Sequence, residues 1–436
     1  MRQYITIEES SLNSTKQFIS EIQHELSQLK IICQYFCCDH LISEIEDLIE
    51  NLISYNDYEL ENILYDKYIQ IRKNILYGSD FAKEIKSPNF KVNRYSKYDY
   101  ERSFAPYNLE NRVNKFDNKN TKTVVFRSGM SAIDVILKSL VRHFDLSRMQ
   151  MIDCSFYFET KELLYNIYDR YFNINRITSY EELYQTLEVT TYNIIFLESV
   201  DINRPNERID LNLLIKKISN SRSPLILIID TTADIFNFNL AEFVSKINRD
   251  ILVFEIKSGI KLGQLGLELA NVGFVNLSTN SKYIDLKSIY QTLVAFRSIT
   301  GCSILPYEEK LLSNEIFFSE IKHDYILRMS TICTEFYNAI ASNQSFEILG
   351  GELSVFLIIK IKSTEKDIYK KFLEDLDKSL KRKKLTIIHG TSFGFRHPRI
   401  EIIQKDFGDN CLRLSLGCYR GLLYEAIKHF FIEWRE

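Results

Sequence analysis

The sequence predicts an α/β protein: a three-layer αβα domain on a mostly parallel sheet, a smaller α+β C-terminal domain and an N-terminal helical extension. Three observations carry this. From about residue 121, short β-branched or apolar runs alternate with helical periods, as βαβ units do. The run Ser223–Asp230, SPLILIID, is apolar without period-two alternation, which suits a central parallel strand covered on both faces. Upstream, Phe18, Ile19, Ile22, Leu26, Leu29, Ile32 and Cys33 recur at three- and four-residue spacings, the mark of an amphipathic helix.

In chain order, residues 1–78 read as the helical extension. Its second run, Leu41 to Tyr77, carries Ile42, Ile45, Leu48, Ile49, Leu52 and Ile53 with acids between them. Residues 79–120 are polar and tyrosine-rich and are expected as an extended arm. Residues 121–345 form the α/β domain. Its expected strands are Thr123–Phe126, Gln150–Asp153, Asn193–Leu197, Leu225–Ile229, Ile251–Phe254 and Val272–Val275, with helices such as Ala132–Phe144 and Leu211–Ile218 between them and mainly helix after residue 281. Residues 346–436 mix expected strands (Glu352–Lys360, Leu385–His389, Cys411–Ser415) with helices (Glu365–Leu380, Leu422–Trp434). No internal repeat is visible.

Composition excludes several classes. With 55 basic and 58 acidic side chains, a net charge of −3 gives no electrostatic footprint for nucleic acid. No apolar run approaches the ~18 residues of a membrane span. The N-terminal stretch MRQYITIEESSLNSTKQF lacks a basic-then-apolar export pattern, and eight cysteines in 436 residues are too dilute for a disulfide framework, so a cytoplasmic protein is expected. Cys33, Cys37, Cys38 and His40 lack a second ligand pair, and their apolar neighbours point to a buried helix face instead of a metal site. Only 14 residues are glycine, so their positions are informative.

In open parallel sheets ligands sit at the carboxyl ends of the strands. After the first strand, Arg127-Ser128-Gly129-Met130 leads straight into a helix, a turn that offers backbone N–H groups to an anion, although an ordinary N-cap also accounts for Ser128. The run Leu225–Ile229 ends in Asp230-Thr231-Thr232, a carboxylate that needs a cationic or protonated partner. The next strand runs into Lys257-Ser258-Gly259-Ile260-Lys261, with Gly263 and Gly266 beyond. Either lysine, set in such a turn, could form a Schiff base with an aldehyde.

These pieces describe a site for pyridoxal 5'-phosphate, and the chain resembles the fold type I pyridoxal-phosphate enzymes, specifically the cystathionine γ-synthase/γ-lyase (Cys/Met metabolism) family, over about residues 98–425. Tyr100-Glu101-Arg102 resembles the Tyr-x-Arg that reaches a neighbouring subunit's phosphate, and Ser128-Gly129-Met130-Ser131-Ala132-Ile133 the phosphate turn. Tyr157 with Thr160 resembles the motif whose tyrosine stacks on the cofactor ring. Glu198-Ser199 with Asn203 and Pro205 resembles the motif whose asparagine approaches the ring hydroxyl. Asp230-Thr231-Thr232 resembles the Asp-Asn-Thr that holds the ring nitrogen protonated. Ser258-Gly-Ile-Lys261 resembles the Ser-x-x-Lys of phosphate serine and Schiff-base lysine. Ser392-Phe-Gly394 and Arg413-Leu-Ser-Leu-Gly417 resemble the late pieces whose arginine grips the substrate carboxylate.

The resemblance implies that Lys261, Asp230 and Tyr157 are catalytic. It implies that Ser128, Gly129, Met130, Asn203, Thr232, Ser258, Tyr100 and Arg102 join them around the cofactor, and that Arg413 and Ser392 bind substrate. The Ser258 spacing favours Lys261 over Lys257. Three positions depart from the family pattern. Ser103-Phe104-Ala105-Pro106 replaces Gly-Asn-Pro-Thr, Asn203 sits one residue late, and Phe158-Glu159 replaces Gly-Gly. They point to a substrate outside primary metabolism. Glu159 as an acid/base group, and Arg396 and Arg399 as a second carboxylate site, are weaker candidates; His389 and His397 receive no role. The implied activity is β/γ-elimination or γ-replacement on an α-amino acid. The alternatives are an aminotransferase and a cofactor-binding protein without turnover. Sites shared between chains imply a homodimer or homotetramer, with neither nucleic acid nor membrane as partner.

Overall fold

The structure, a computed structural model, describes residues 2–78, 104–114, 121–145, 149–189, 192–220, 223–236, 238–363, 367–390, 392–404 and 410–435. The chain forms two compact units. One holds Met1–Phe90, Leu265–Leu269 and Asn314–Glu436; the other holds Lys91–Gln264 and Ala270–Ser313.

The first unit begins with helices α1 (Arg2–Tyr35), α2 (Asp39–Glu50) and α3 (Asp57–Lys73). The stripe read from the sequence is the buried one: Phe18, Ile22, Leu26, Leu29 and Cys33 of α1 are covered, as are Leu41 and Ile45 of α2. A capping box starts α3, with Asn56 Oδ1 accepting from the Glu59 amide and Glu59 accepting from the Asn56 amide.

The second unit opens with α4 (Tyr107–Asn114), followed by β1 (Thr121–Phe126), α5 (Gly129–His143), β2 (Gln150–Cys154), α6 (Phe158–Leu163) and β3 (Asn173–Arg176). Then come α7 (Tyr180–Val189), β4 (Ile194–Glu198), α8 (Leu211–Ser219), β5 (Leu225–Asp230), α9 (Leu240–Ser245), β6 (Ile251–Ser258), β7 (Gly273–Thr279), α10 (Leu286–Ile299) and α11 (Pro306–Leu312). The seven strands lie in the order β1-β7-β6-β5-β4-β2-β3. Pairing is parallel from β6 through β3, while β7 runs antiparallel to both β6 and β1. Alternate residues face two separate cores. Phe196, Ile226, Ile228, Phe254 and Ile256 pack with α5 and α10; Ile195, Leu197, Leu227, Ile229 and Val253 pack against the α8 and α9 side.

Two features of this unit differ from the sequence reading. Helix α4 lies inside the stretch expected to be extended. Two turns are marginal alone, and its anchor is remote. Glu110 forms a buried ion pair with Arg297 of α10 and accepts the Val125 amide of β1 at 3.0 Å. Strand β3, with the polar sequence NINR, was not anticipated; as an edge strand paired only with β2 it needs no apolar run.

Glu309 of α11 is a buried carboxylate whose Oε1 accepts the Asn108 amide at 2.8 Å. Burial pushes it up to about 7, against the opposing effect of the Leu109 and Asn108 amides. A raised carboxylate contributes stability that is complete below about pH 4.5 and lost as pH rises through about 7. The melting-temperature difference between wild type and Glu309→Gln should therefore move against wild type from about pH 5 to about pH 8. A difference independent of pH would contradict the assignment.

The first unit resumes with α12 (Glu320–Ile340), β8 (Phe346–Ile348), β9 (Leu357–Ile361), α13 (Ile368–Arg382), β10 (Ile388–His389), β11 (Arg399–Gln404), β12 (Asn410–Ser415) and α14 (Leu422–Glu433). The five strands lie in the order β10-β11-β12-β9-β8, all antiparallel except β10 with β11. Phe336, Leu357, Ile359, Phe372, Leu376, Leu412, Leu414, Ile427 and Phe431 form its core. The strand expected from Glu352 begins only at Leu357, because Gly351 (φ +144°) and Leu353 (φ +52°) turn the chain first. Strand β11 was not among the expected strands.

Candidate active site

The carboxyl ends of β4, β5 and β6 bring a set of polar side chains to one edge of the sheet. Glu198, the last residue of β4, pairs in register with Asp230, the last residue of β5. Asp230 shares the pleat of Ile226 and Ile228, so it faces the layer that holds α5. Its Oδ1 accepts the Thr232 amide at 2.8 Å, and Thr232 Oγ1 accepts the Ser258 amide at 2.8 Å. Thr232 thereby ties the tips of β5 and β6 together. Burial pushes the Asp230 carboxyl up; the hydrogen bonds from Thr232 and the ammonium groups of Lys257 and Lys261 act in the opposite direction.

The turn from β1 into α5 lies against the end of β6. Ser128 caps α5: its Oγ accepts the Ser131 amide at 3.1 Å, and its own amide donates to Ser131 Oγ at 3.0 Å. The Ser128 hydroxyl thus fills the N-cap role considered from sequence. The Gly129 and Met130 amides occupy the first helical positions, where no intrahelical acceptor exists. Ser258 borders them, since a Cβ placed on Gly129 would stand 3.4 Å from Ser258 Cβ. Helix N-terminus and serine together form a place for an anion.

Gly273 of β7 packs so closely under this turn that a Cβ would overlap the Ser128 carbonyl and come within 2.7 Å of the Gly129 nitrogen. Both contacts are backbone, so the turn would have to move. Gly273→Ala should cost about 1–3 kcal/mol of stability and weaken anion binding at the α5 N-terminus. Urea unfolding and a phosphate titration read the two effects; unchanged values for both would refute the close approach.

Tyr157 precedes α6, and its ring meets Phe158 edge-on at 5.2 Å. The turn that carries it is fixed by Glu198, whose Oε1 accepts the Phe156 and Tyr157 amides at 2.9 and 2.7 Å. Burial and the Asp230 carboxylate push Glu198 far above the usual carboxylate range. Sequence reasoning gave Glu198 no role of its own, because only strand register brings it beside Asp230. Asn203 lies in the loop after β4, where its amide donates to Asp201 Oδ1 at 2.8 Å in an Asx turn.

Lys261 is half-buried in the turn after β6, on the same unit as Asp230 and within its electrostatic reach. Lys257 sits within β6, opposite Phe274 of β7, and its pleat is that of Val253 and Glu255, the reverse of Ser258's. Arg413 and Ser392 belong to the other unit, where both bond to Glu401. Tyr100 and Arg102 lie outside the described residues. Glu159 is exposed on the first turn of α6.

Arg396 and Arg399 serve packing in the first unit and are not a second carboxylate site. Arg396 forms a buried ion pair with Glu25 of α1, and Arg399 pairs with Glu268 at 2.7 Å while stacking over Phe395. His397 is held between Tyr65 and Tyr68, and burial with the adjacent Arg396 lowers it to about 3, which keeps it neutral. Cys33 and Cys38 are buried and Cys37 is exposed. Among the described residues no group of three or more His, Cys, Asp or Glu side chains is placed to hold a metal, and no helix is long and apolar enough to cross a membrane.

The strand order with its antiparallel seventh strand, and the separate smaller sheet, define the three-layer αβα architecture of fold type I pyridoxal-phosphate enzymes. Solved structures with this fold include the cystathionine gamma synthase of Xanthomonas oryzae pv. oryzae in complex with aminoacrylate and cysteine. It is similar to this chain at TM-score 0.57 and 14% identity, over 81% of this chain and 92% of that one. A putative O-acetylhomoserine (thiol)-lyase from Campylobacter jejuni, solved with a pyridoxyl-lysine monophosphate residue, matches at TM-score 0.56 and 14% identity over 76% and 87%. MetB from Corynebacterium glutamicum matches at TM-score 0.57 and 13% identity over 80% and 89%. No family model and no curated protein sequence matches the chain.

Proposed function

We propose that the protein is a pyridoxal 5'-phosphate-dependent enzyme acting on an α-amino acid by β- or γ-elimination or γ-replacement. The observation that carries this reading is the joining of Asp230, Thr232, Ser258 and the α5 N-terminus at one sheet edge, with Lys261 in the turn beyond. The donor set fits the cofactor. The Gly129 and Met130 amides with the Ser258 hydroxyl would hold its phosphate, Asp230 would keep a proton on its ring nitrogen, and Tyr157 would bind the ring. When bound, the cofactor supplies an electron sink for charge developing at the substrate Cα. Lys261 would hold the cofactor and would move the proton at the substrate Cα as general base.

In this reading Asn203 approaches the ring hydroxyl, and Arg413 with Ser392 receives the substrate carboxylate. Tyr100 and Arg102 complete a neighbouring subunit's site within a homodimer or homotetramer. The setting is the cytoplasm, and the chain is a lyase or transferase of amino-acid metabolism.

The test is reconstitution with pyridoxal phosphate. A visible absorption band should appear, and borohydride should trap the cofactor on the peptide that contains Lys261. O-activated homoserines should then yield 2-oxobutyrate or a substituted product. Absence of the band would sink the cofactor assignment, and amino-group transfer to a 2-oxoacid would replace elimination by transamination.

A further inference from the structure

Strands β11 and β12 place Glu401 directly opposite Arg413. The Arg413 Nε donates to Glu401 Oε1 at 2.6 Å, its Nη2 donates to the same oxygen, and the Ser392 amide adds a third donor at 3.2 Å. Arg413 is nine-tenths buried, and Ser392 holds an unusual positive φ of +101° that aims its amide at that oxygen. A guanidinium edge and a backbone amide converging on one oxygen make a receptor for a carboxylate. Here the protein's own carboxylate fills it. Glu401 and Arg413 share the pleat opposite to Ile400, Leu412 and Leu414, so neither belongs to the apolar core.

We propose that Glu401 is a specificity-determining residue that competes with a substrate's free carboxylate for Arg413, so that the preferred substrates are amino acids whose carboxyl is masked as an amide or ester. This deepens, and rests on, the reading in which Arg413 receives the substrate carboxyl. A free carboxylate meets a neutralised guanidinium and a like charge beside it. An amide carbonyl brings no charge and can share the donors of Arg413 with Glu401. Substrates of this kind would arise from reactions that condense an amino acid through its carboxyl group.

The experiment compares L-alanine with L-alaninamide, by calorimetric titration of the chain with and without pyridoxal phosphate, in wild type, Glu401→Gln and Glu401→Ala. Wild type should bind the amide at least as tightly as the acid. Both variants should tighten acid binding by about 10- to 100-fold, the scale of one charge-assisted hydrogen bond, with the amide changed by less. Adding Arg413→Ala to Glu401→Gln should erase that gain, and thermal unfolding shows which variants are folded. Tighter binding of the acid by wild type, or an unchanged acid-to-amide ratio in a folded variant, overturns the proposal. Loss of the Lys261-linked band in wild type would instead sink the cofactor reading, and the cofactor-free titration would still report on Glu401.

Discussion

Replacing Lys261 by alanine is expected to abolish the visible band of the reconstituted protein and to lower turnover by at least about 10²- to 10⁴-fold, the share of a lost general base alone. The pleat of β6 separates the two lysines. Phe254 and Ile256 pack with α5, and Ser258 continues that face to meet Gly129 at the helix N-terminus. Val253 packs on the opposite side, and Glu255 on the same pleat accepts the Thr231 hydroxyl at 3.0 Å and the Asn276 side-chain Nδ2 at 2.9 Å. Lys257 follows Glu255 on that pleat. It is therefore directed away from the anion turn, whereas Lys261 lies in the turn beyond the strand's end, where that alternation no longer applies. Lys257→Ala should keep the band. Spectra of the two variants decide the matter, and the reverse result would move the attachment point by four residues.

Much of this site was legible because its parts are local in sequence. A helix start preceded by Ser-Gly, a strand closed by Asp230 and a Ser-x-x-Lys turn each declare themselves within a few residues. The non-alternating run ending at Asp230 likewise announced a central strand, and β5 is central. What stayed hidden depends on partners far along the chain. An apolar run carries no direction, so the antiparallel course of β7 could not be read. Glu198 gains its place beside Asp230 from the β4–β5 register. The Glu401–Arg413 pair needs two strands joined in antiparallel register, one of them unrecognised. The stripe of α1 was evident, but the partners of its acids were not.

Those acids support the second large effect. Glu25 of α1 and Arg396 form an ion pair with both side chains nearly inaccessible, at 4% and 2% exposure. Arg396 also lies over the Tyr325 ring at 5.2 Å, and Cys418 Sγ stands 3.6 Å from Glu25. Around them, Glu21 pairs with Arg328 and Arg420, and Glu61 of α3 accepts the Tyr419 hydroxyl and the Leu422 amide at 2.9 Å each, which caps α14. The N-terminal helices are thus bonded into the unit that carries the second sheet. Removing one partner of a buried pair strands the other charge, so Glu25→Ala should destabilise this unit by about 3–5 kcal/mol. The double replacement Glu25→Leu with Arg396→Met restores apolar packing without a stranded charge and should recover most of that loss. Denaturant unfolding of Glu25→Leu, Arg396→Met and the double measures the coupling. Additive losses would mean that the two side chains do not depend on each other.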